Sequence, residues 1–265
     1  MDLAFSPEYE AFREQVTDLL ESSRASAPTS ADQGMKHPKR LAWQKLMIEN
    51  GLAARTIPKV YGGFGAEPDI LKSRIIAEAF AVTGLPRPMA SQGISMLVPT
   101  LLELGNEEQK QKYIRPTLHG EMVWCQGYSE PGAGSDLAAV STRAEIDGDD
   151  FIINGQKIWT STAKQADMIF CLVRTDPDAK KHHGISYVIF PMDTPGIEVR
   201  PLVDMTEAAN FNEVFFTDVR VPRSGLIHEM NKGWQVANAT LTHERGMLGD
   251  PNATKARLIE VAELM

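Results

Sequence analysis

Residues able to do chemistry gather in the stretch from Trp124 to Asp136, which reads Trp-Cys-Gln-Gly-Tyr-Ser-Glu-Pro-Gly-Ala-Gly-Ser-Asp. A short apolar run ends at Gln126, passes Tyr128 and Ser129, and meets Glu130-Pro131, after which Gly132 and Gly134 bracket Ala133. Proline fixes its own φ and pushes the residue before it toward extended geometry, while glycine permits positive φ and leaves amide N–H groups uncovered. Such a turn either reverses the chain or holds a phosphate on a nest of amides, and composition does not choose between the two. Other patterns are thinner. No Gly-x-Ser-x-Gly elbow, His-Glu-x-x-His or Cys-x-x-Cys occurs, so hydrolase and zinc chemistry lack support and no metal is expected. The adjacent His182 and His183, preceded by Lys180 and Lys181, read as a solvated loop that could meet an anion. Asp147, Asp149 and Asp150 lack the spacing of a calcium loop. Tyr61-Gly62-Gly63-Phe64-Gly65 follows no apolar strand and reads as a loop.

Tyr-Ser-Glu-Pro-Gly-Ala-Gly-Ser-Asp at 128–136 resembles the flavin-binding signature of the acyl-CoA dehydrogenase family, and Asn-Gly-Gln-Lys-Ile-Trp-Thr-Ser at 154–161 resembles its second signature. Matches continue at Pro58 to Gly63, at Gly105 to Lys110 and at Asp218 to Pro222, in the family's order. The resemblance implies FAD, with Gln126, Tyr128 and Ser129 along the isoalloxazine ring and Gly134 and Ser135 near the pyrophosphate. It further implies that Trp159 covers the ring while Thr160 and Ser161 donate to it, and that Ser135 also meets substrate. Gln126 departs from relatives that carry an aromatic residue there. Without the resemblance, Trp159 reads as a core tryptophan beside a hairpin.

The implied reaction removes the α-proton of an acyl-CoA thioester with a carboxylate, while the β-hydrogen leaves as hydride to the flavin, giving a trans-2-enoyl-CoA. Leu241-Thr242-His243-Glu244-Arg245 resembles the family's helix-borne base, found in members acting on branched, long or sterol-derived acyl groups. Glu244 would then be the base and Arg245 would orient substrate or neighbouring carboxylates; the plainer reading is a helix-end Glu paired with a cation. The implied partners are acyl-CoA, an electron-transfer flavoprotein or similar acceptor, and further subunits in a homo- or hetero-oligomer. Two other readings stay open: a flavin monooxygenase or oxidase of the same fold, and a non-catalytic subunit or fragment supporting a partner chain.

The elements that must position these residues follow from periodicity. Residues 1–121 read as an all-α domain. Pro7 opens a helix whose Phe5, Tyr9, Phe12, Val16 and Leu19 recur at spacings of three and four, with Ser6 as its cap. A polar loop (22–36) precedes a helix over 38–50, and further helices are predicted over 69–82, 91–104 (interrupted by Pro99) and 107–118. After Met122 the period changes to two. Residues 122–226 predict a β-meander closing into a barrel or sandwich of about seven strands, with Asp147-Gly148 and Asn154-Gly155 as hairpin turns. Residues 227–265 begin a C-terminal helical domain, broken at Gly249-Asp250-Pro251 and ending in a helix over 253–264. The fold class is α+β, read as a truncated or partly ordered dehydrogenase whose 265 residues alone would be inactive.

A net charge of -8 and pI near 5.3 argue against nucleic acid as the main partner. Cys125 and Cys171 sit in apolar runs and read as buried thiols in a reducing compartment. With no membrane-span-length apolar run and no basic, apolar leader, a cytoplasmic protein is expected.

Overall fold

In the computed structural model, residues 6–245, 258–259 and 261–263 are described. Phe5, the break expected at Gly249-Asp250-Pro251 and most of the helix expected over 253–264 lie outside them. Two compact units form: residues 1–90 with 110–122, and residues 91–109 with 123–265.

The first unit is helical. In α1 (Pro7–Ser22) Val16 and Leu20 are buried, and Ser6 holds the N-cap position without a side-chain capping bond. In α2 (Pro38–Glu49) the His37 ring accepts the Lys39 N–H, and in α3 (Ile70–Thr83) the Asp69 carboxylate accepts that of Lys72, satisfying donors that a helix start leaves open. Val16, Leu20, Trp43, Met47, Ile76 and Phe80 share one core. The buried Gln44 fixes α2 by donating to the Leu118 carbonyl and accepting the Met89 N–H, both at 2.8 Å.

In the second unit, a π-turn (Gly93–Leu97) precedes α4 (Val98–Leu104). The interruption expected at Pro99 therefore falls just before it. Pro99 lies in the first turn of α4, where its missing N–H costs no bond. Helix α5 (Glu107–Leu118) follows.

The eight strands among the described residues are β1 (Trp124–Gly127), β2 (Arg143–Asp147), β3 (Asp150–Lys157), β4 (Met168–Arg174), β5 (Ile185–Pro191), β6 (Ile197–Leu202), β7 (Phe211–Pro222) and β8 (Leu226–Ile227). They form one sheet in the order β6-β7-β3-β2-β4-β5-β8, with β1 beside β4. A simple meander is excluded, because β1 and β2 both run parallel to β4. The second expected hairpin is also absent. Asn154-Gly155 lies inside β3, where the register against β7 shifts between Ile153 and Gly155, so the dipeptide makes a bulge instead of a turn. Gly155 takes φ +153, and a Cβ there would come within 2.7 Å of the Thr142 Cα.

The sheet curls over on itself: the Phe190 and Phe216 rings, from strands far apart in the order, meet at 5.8 Å. Cys125, Cys171, Val173, Val188, Val214 and Val219 fill the enclosed core. Alternation turns Tyr128, Phe170 and Tyr187 to the other face. Against that face, α6 (Gly233–Arg245) begins at a glycine whose Cβ would lie 2.4 Å from the Ser186 carbonyl carbon. Both cysteines are free and buried, and burial pushes both thiols up, Cys171 to about 12. No helix of the described residues is long and apolar enough to cross a membrane.

Gly233→Ala must push α6 off β5 and is expected to lower the melting temperature by several degrees, in line with the roughly 1–3 kcal/mol of overpacking. Gly132→Ala, whose methyl would meet nothing within 4 Å, is expected to melt with the parent. Thermal melts followed by circular dichroism check both.

Candidate functional site

The Gly-rich stretch and the 154–161 stretch, distant in sequence, meet at one buried ion pair. Lys157 follows Phe151 and Ile153 on the inward side of β3 and is fully buried. Its ammonium lies 2.7 Å from Glu130 Oε1 and also donates to the Tyr128 carbonyl at 3.2 Å. Glu130 is 5% exposed, and its other acceptor sites are filled by the Ser141 N–H and hydroxyl, at 2.7 and 2.8 Å, and by the Thr142 N–H, at 2.9 Å. Burial by itself would raise the pKa of this carboxyl. The Lys157 charge and hydrogen bond, helped by Thr142 and Ser141, outweigh it and hold Glu130 at about 2.

From this anchor the turn is set. Glu130 and Ala133 exchange backbone hydrogen bonds at 3.0 Å in both directions. Neither Gly132 nor Gly134 takes positive φ, so the left-handed freedom expected of them is unused. Their role is the missing side chain: a Cβ at either would meet nothing within 4 Å, and Gly132, Gly134 and Ser135 are exposed with no backbone N–H bond among the described residues. Arg174 holds the segment that follows, donating to the carbonyls of Ala138 and Val140 on one side and of Lys181 and His183 on the other. Lys181 pairs with Asp136 at 2.5 Å, and His182 lies 4.8 Å from the Trp234 ring of α6.

Trp159 stands where two pinned segments join. The Ile158 N–H donates to the Ser129 carbonyl at 2.9 Å, while Thr160 exchanges backbone bonds with Asn212 at 3.0 and 3.1 Å. Between them Trp159 takes φ +60, a left-handed conformation that bulky residues rarely adopt, and its indole is 60% exposed, edge-on to Phe211 at 6.0 Å. Strain of this kind persists only where the surroundings over-determine it. The reading of Trp159 as a core residue is thereby corrected.

The remaining expected residues divide by depth. Gln126, Ser129 and Ser161 are half-buried. Thr160 is buried, and its hydroxyl has no partner, as does the Asn212 amide oxygen. Tyr128 turns inward, its ring edge-on to Phe170 and Tyr187, so any ligand on the surface meets its backbone and not its phenol. Glu244 and Arg245 end α6. Among the described residues no cation is found paired with Glu244, and its Oε2 is buried without a hydrogen-bond partner there. Sequence reasoning passed over Lys157, Thr142 and Asn212. For Lys157 a signal existed, a cation at an inward position of an otherwise apolar strand face.

Residues 6–121 match the acyl-CoA dehydrogenase N-terminal domain and residues 125–219 its middle domain. The acyl-CoA dehydrogenase IpdE1 of Mycobacterium tuberculosis is 38% identical over 266 residues, 96% of this chain and 68% of that one. The chain belongs to the acyl-CoA dehydrogenase family. Among solved structures, the Tcur3481-Tcur3483 steroid ACAD superposes with a TM-score of 0.71 at 34% identity, covering 92% of this chain and 63% of that one. The ChsE4-ChsE5 complex from Mycobacterium tuberculosis gives 0.71 at 33%, covering 92% and 61%. The chain thus spans about two thirds of these acyl-CoA dehydrogenase relatives. Both signatures lie in the matched region, the buried pair Glu130–Lys157 within them.

The pair sets an acid limit. Glu130 sits at about 2 when folded against an ordinary value of 4.5, so its contribution is whole above that value and is lost as pH falls from about 4.5 to about 2. Glu130→Gln is expected to lose roughly 3–5 kcal/mol at pH 7, because the Lys157 charge is left buried alone, and to show a shallower acid limb in that window. Glu130→Gln with Lys157→Met should recover part of the loss. Urea titrations from pH 7 to pH 2 measure all three.

Proposed function

We propose that the protein is an FAD-dependent acyl-CoA dehydrogenase that converts an acyl-CoA thioester to the trans-2-enoyl-CoA, with Glu244 as the base. The observation that carries this reading is the buried, unpartnered Oε2 of Glu244 at the end of α6. A carboxylate oxygen kept from water and from cations is available to take a proton, whereas one in a surface ion pair is not.

The residues present fit the flavin. The bare turn from Gly132 to Ser135 leaves amides open to a pyrophosphate, and Trp159 offers an exposed indole face to a flat ring. Gln126, Ser129 and Ser161 are half-buried polar groups of the same two stretches, and the Thr160 hydroxyl next to Trp159 in the chain is buried without a partner among the described residues. When bound, FAD supplies the acceptor for the β-hydrogen and its electron pair. Glu244 removes the α-proton as the α,β double bond forms. Arg245 orients substrate or neighbouring carboxylates, and Ser135 contacts the thioester's coenzyme portion.

The substrate class follows the relatives. A base on the helix after the sheet, together with likeness to a steroid ACAD, favours a branched, long or sterol-derived acyl group. The electron acceptor is proposed to be an electron-transfer flavoprotein or similar carrier, and the assembly a homo- or hetero-oligomer, the latter supported by likeness to the ChsE4-ChsE5 complex. Two buried free thiols suit a reducing, cytoplasmic setting.

Glu244→Gln in the full protein is expected to retain FAD yet lose anaerobic flavin reduction by acyl-CoA roughly 100- to 10,000-fold, the usual worth of a general base. Near-normal reduction would put the base elsewhere. Trp159→Ala is expected to loosen FAD, read as earlier loss of flavin absorbance on dilution and gel filtration; unchanged retention would return the indole to a structural role.

A further inference from the structure

A cleft of about 740 Å³ opens in the helical unit, between the loop over 28–34, the start of α2 and the segment over 84–90, and every residue that lines it belongs to that unit. Its size falls within the range of small-molecule sites. The walls are held in place by bonds of their own. Pro28, Pro86 and Pro88 line the cleft, each with a fixed φ. The buried Trp43 indole donates to the Pro86 carbonyl at 2.9 Å, and the Met89 N–H donates to Gln44 at 2.8 Å. On the loop side the Asp32 carboxylate accepts the Thr29 N–H at 2.7 Å and the Thr29 hydroxyl at 2.9 Å. Walls pinned in this way pay little ordering cost when a ligand enters.

The charges in the cleft are unevenly matched. Asp32 is already served: besides the Thr29 bonds, which with Lys39 at 3.5 Å hold its carboxyl below the usual range, it has His37 at 3.9 Å. Arg40 is not. It is half-buried, and its one hydrogen bond among the described residues goes to the Gly34 carbonyl at 3.5 Å, the outer limit of such a bond. A guanidinium carries five N–H donors, so most of its capacity is unspent. Arg87 brings a second guanidinium to the lining, and Ser30 a hydroxyl with no bond among the described residues. On a chain of net charge -8 this is a site that draws anions. Both lining cations are arginines, with no lysine among the described lining residues, and the planar arginine fork matches a planar carboxylate through two parallel bonds. A carboxylate fills only a small part of the volume, and the rest is walled by prolines, Trp43 and Met89.

We propose that this cleft binds a carboxylic acid with a bulky apolar body, its carboxylate paired with Arg40 and its body against the prolines and Met89. The site uses the first unit alone, so it stands or falls independently of Glu244 and the flavin.

The experiment is isothermal titration calorimetry of the full protein with adamantane carboxylate, adamantane carboxamide, acetate and inorganic phosphate. The parent is expected to bind one adamantane carboxylate, and to bind the carboxamide, acetate and phosphate at least about tenfold more weakly, since a charge-assisted bond and apolar burial are both needed. Arg40→Gln should weaken the carboxylate about 10- to 100-fold, and Arg40→Lys, which keeps the charge and loses the fork, should fall between. Because Arg40 makes only one long bond, Arg40→Gln should melt with the parent, so lost binding is not lost folding. Lys164→Gln, an exposed lysine outside the cleft, should bind as the parent does. No binding of adamantane carboxylate at millimolar concentration overturns the proposal. So does a carboxamide or phosphate that binds as well as the acid, an Arg40→Gln protein that binds as the parent does, or an equal loss in Lys164→Gln.

Discussion

The buried bond between Glu130 and Lys157 is the constraint on which the rest of the site depends. Removing an ammonium and a carboxylate from water costs several kcal/mol per ion, and attraction repays that only when the remaining lone pairs and protons are also satisfied. Here they are, through the Tyr128 carbonyl on one side and Ser141 and Thr142 on the other. The bond joins the end of β3 to the end of β1 and draws in the segment entering β2. Three chain segments thus converge on one carboxylate, and the exposed turn from Pro131 to Ser135 is what remains outside it. The exposed part of the turn can be bare glycine because the rigidity comes from beneath.

The same convergence accounts for Trp159. With Lys157 anchored, Ile158 bonded to Ser129 and Thr160 bonded to Asn212, the residue between has little backbone freedom left. It takes a left-handed conformation, and the indole is delivered to solvent. An exposed tryptophan on a strained backbone is costly as packing and sensible as a ligand face. Glu244 is placed by a different route, the close approach of Gly233 to β5 and the bond of Thr240 to Tyr187, which fix the start and middle of α6 so that its last turn presents the carboxylate.

Much of this was legible without coordinates. The change from a helical to a two-residue period near Met122, the helix bounded by Pro38 and Asn50, and the strand carrying Cys171 are local patterns, and local patterns survive into the fold because each buries one face. Family membership was legible for a different reason: the two signatures are contiguous runs, so their order and composition suffice. The Asn154-Gly155 turn failed because turn propensity is local, while the choice between a turn and a bulge was made by Thr142, which crowds Gly155, and by β7, which continues alongside.

What the chain determined by itself is the set of groups available: bare glycines after a proline, an aromatic residue in the second signature, and a glutamate near the end of a helix. Only the tertiary structure decided their roles. It turned Tyr128 inward, because alternation along β1 and the edge-on packing with Phe170 and Tyr187 leave its ring no other place. It put Trp159 outside, because hydrogen bonds to Ser129 and Asn212 pin both its neighbours. And it joined Glu130 to Lys157 across 27 positions, a pairing no spacing rule predicts, since electrostatic satisfaction in a dry interior is settled by which segments the sheet brings together.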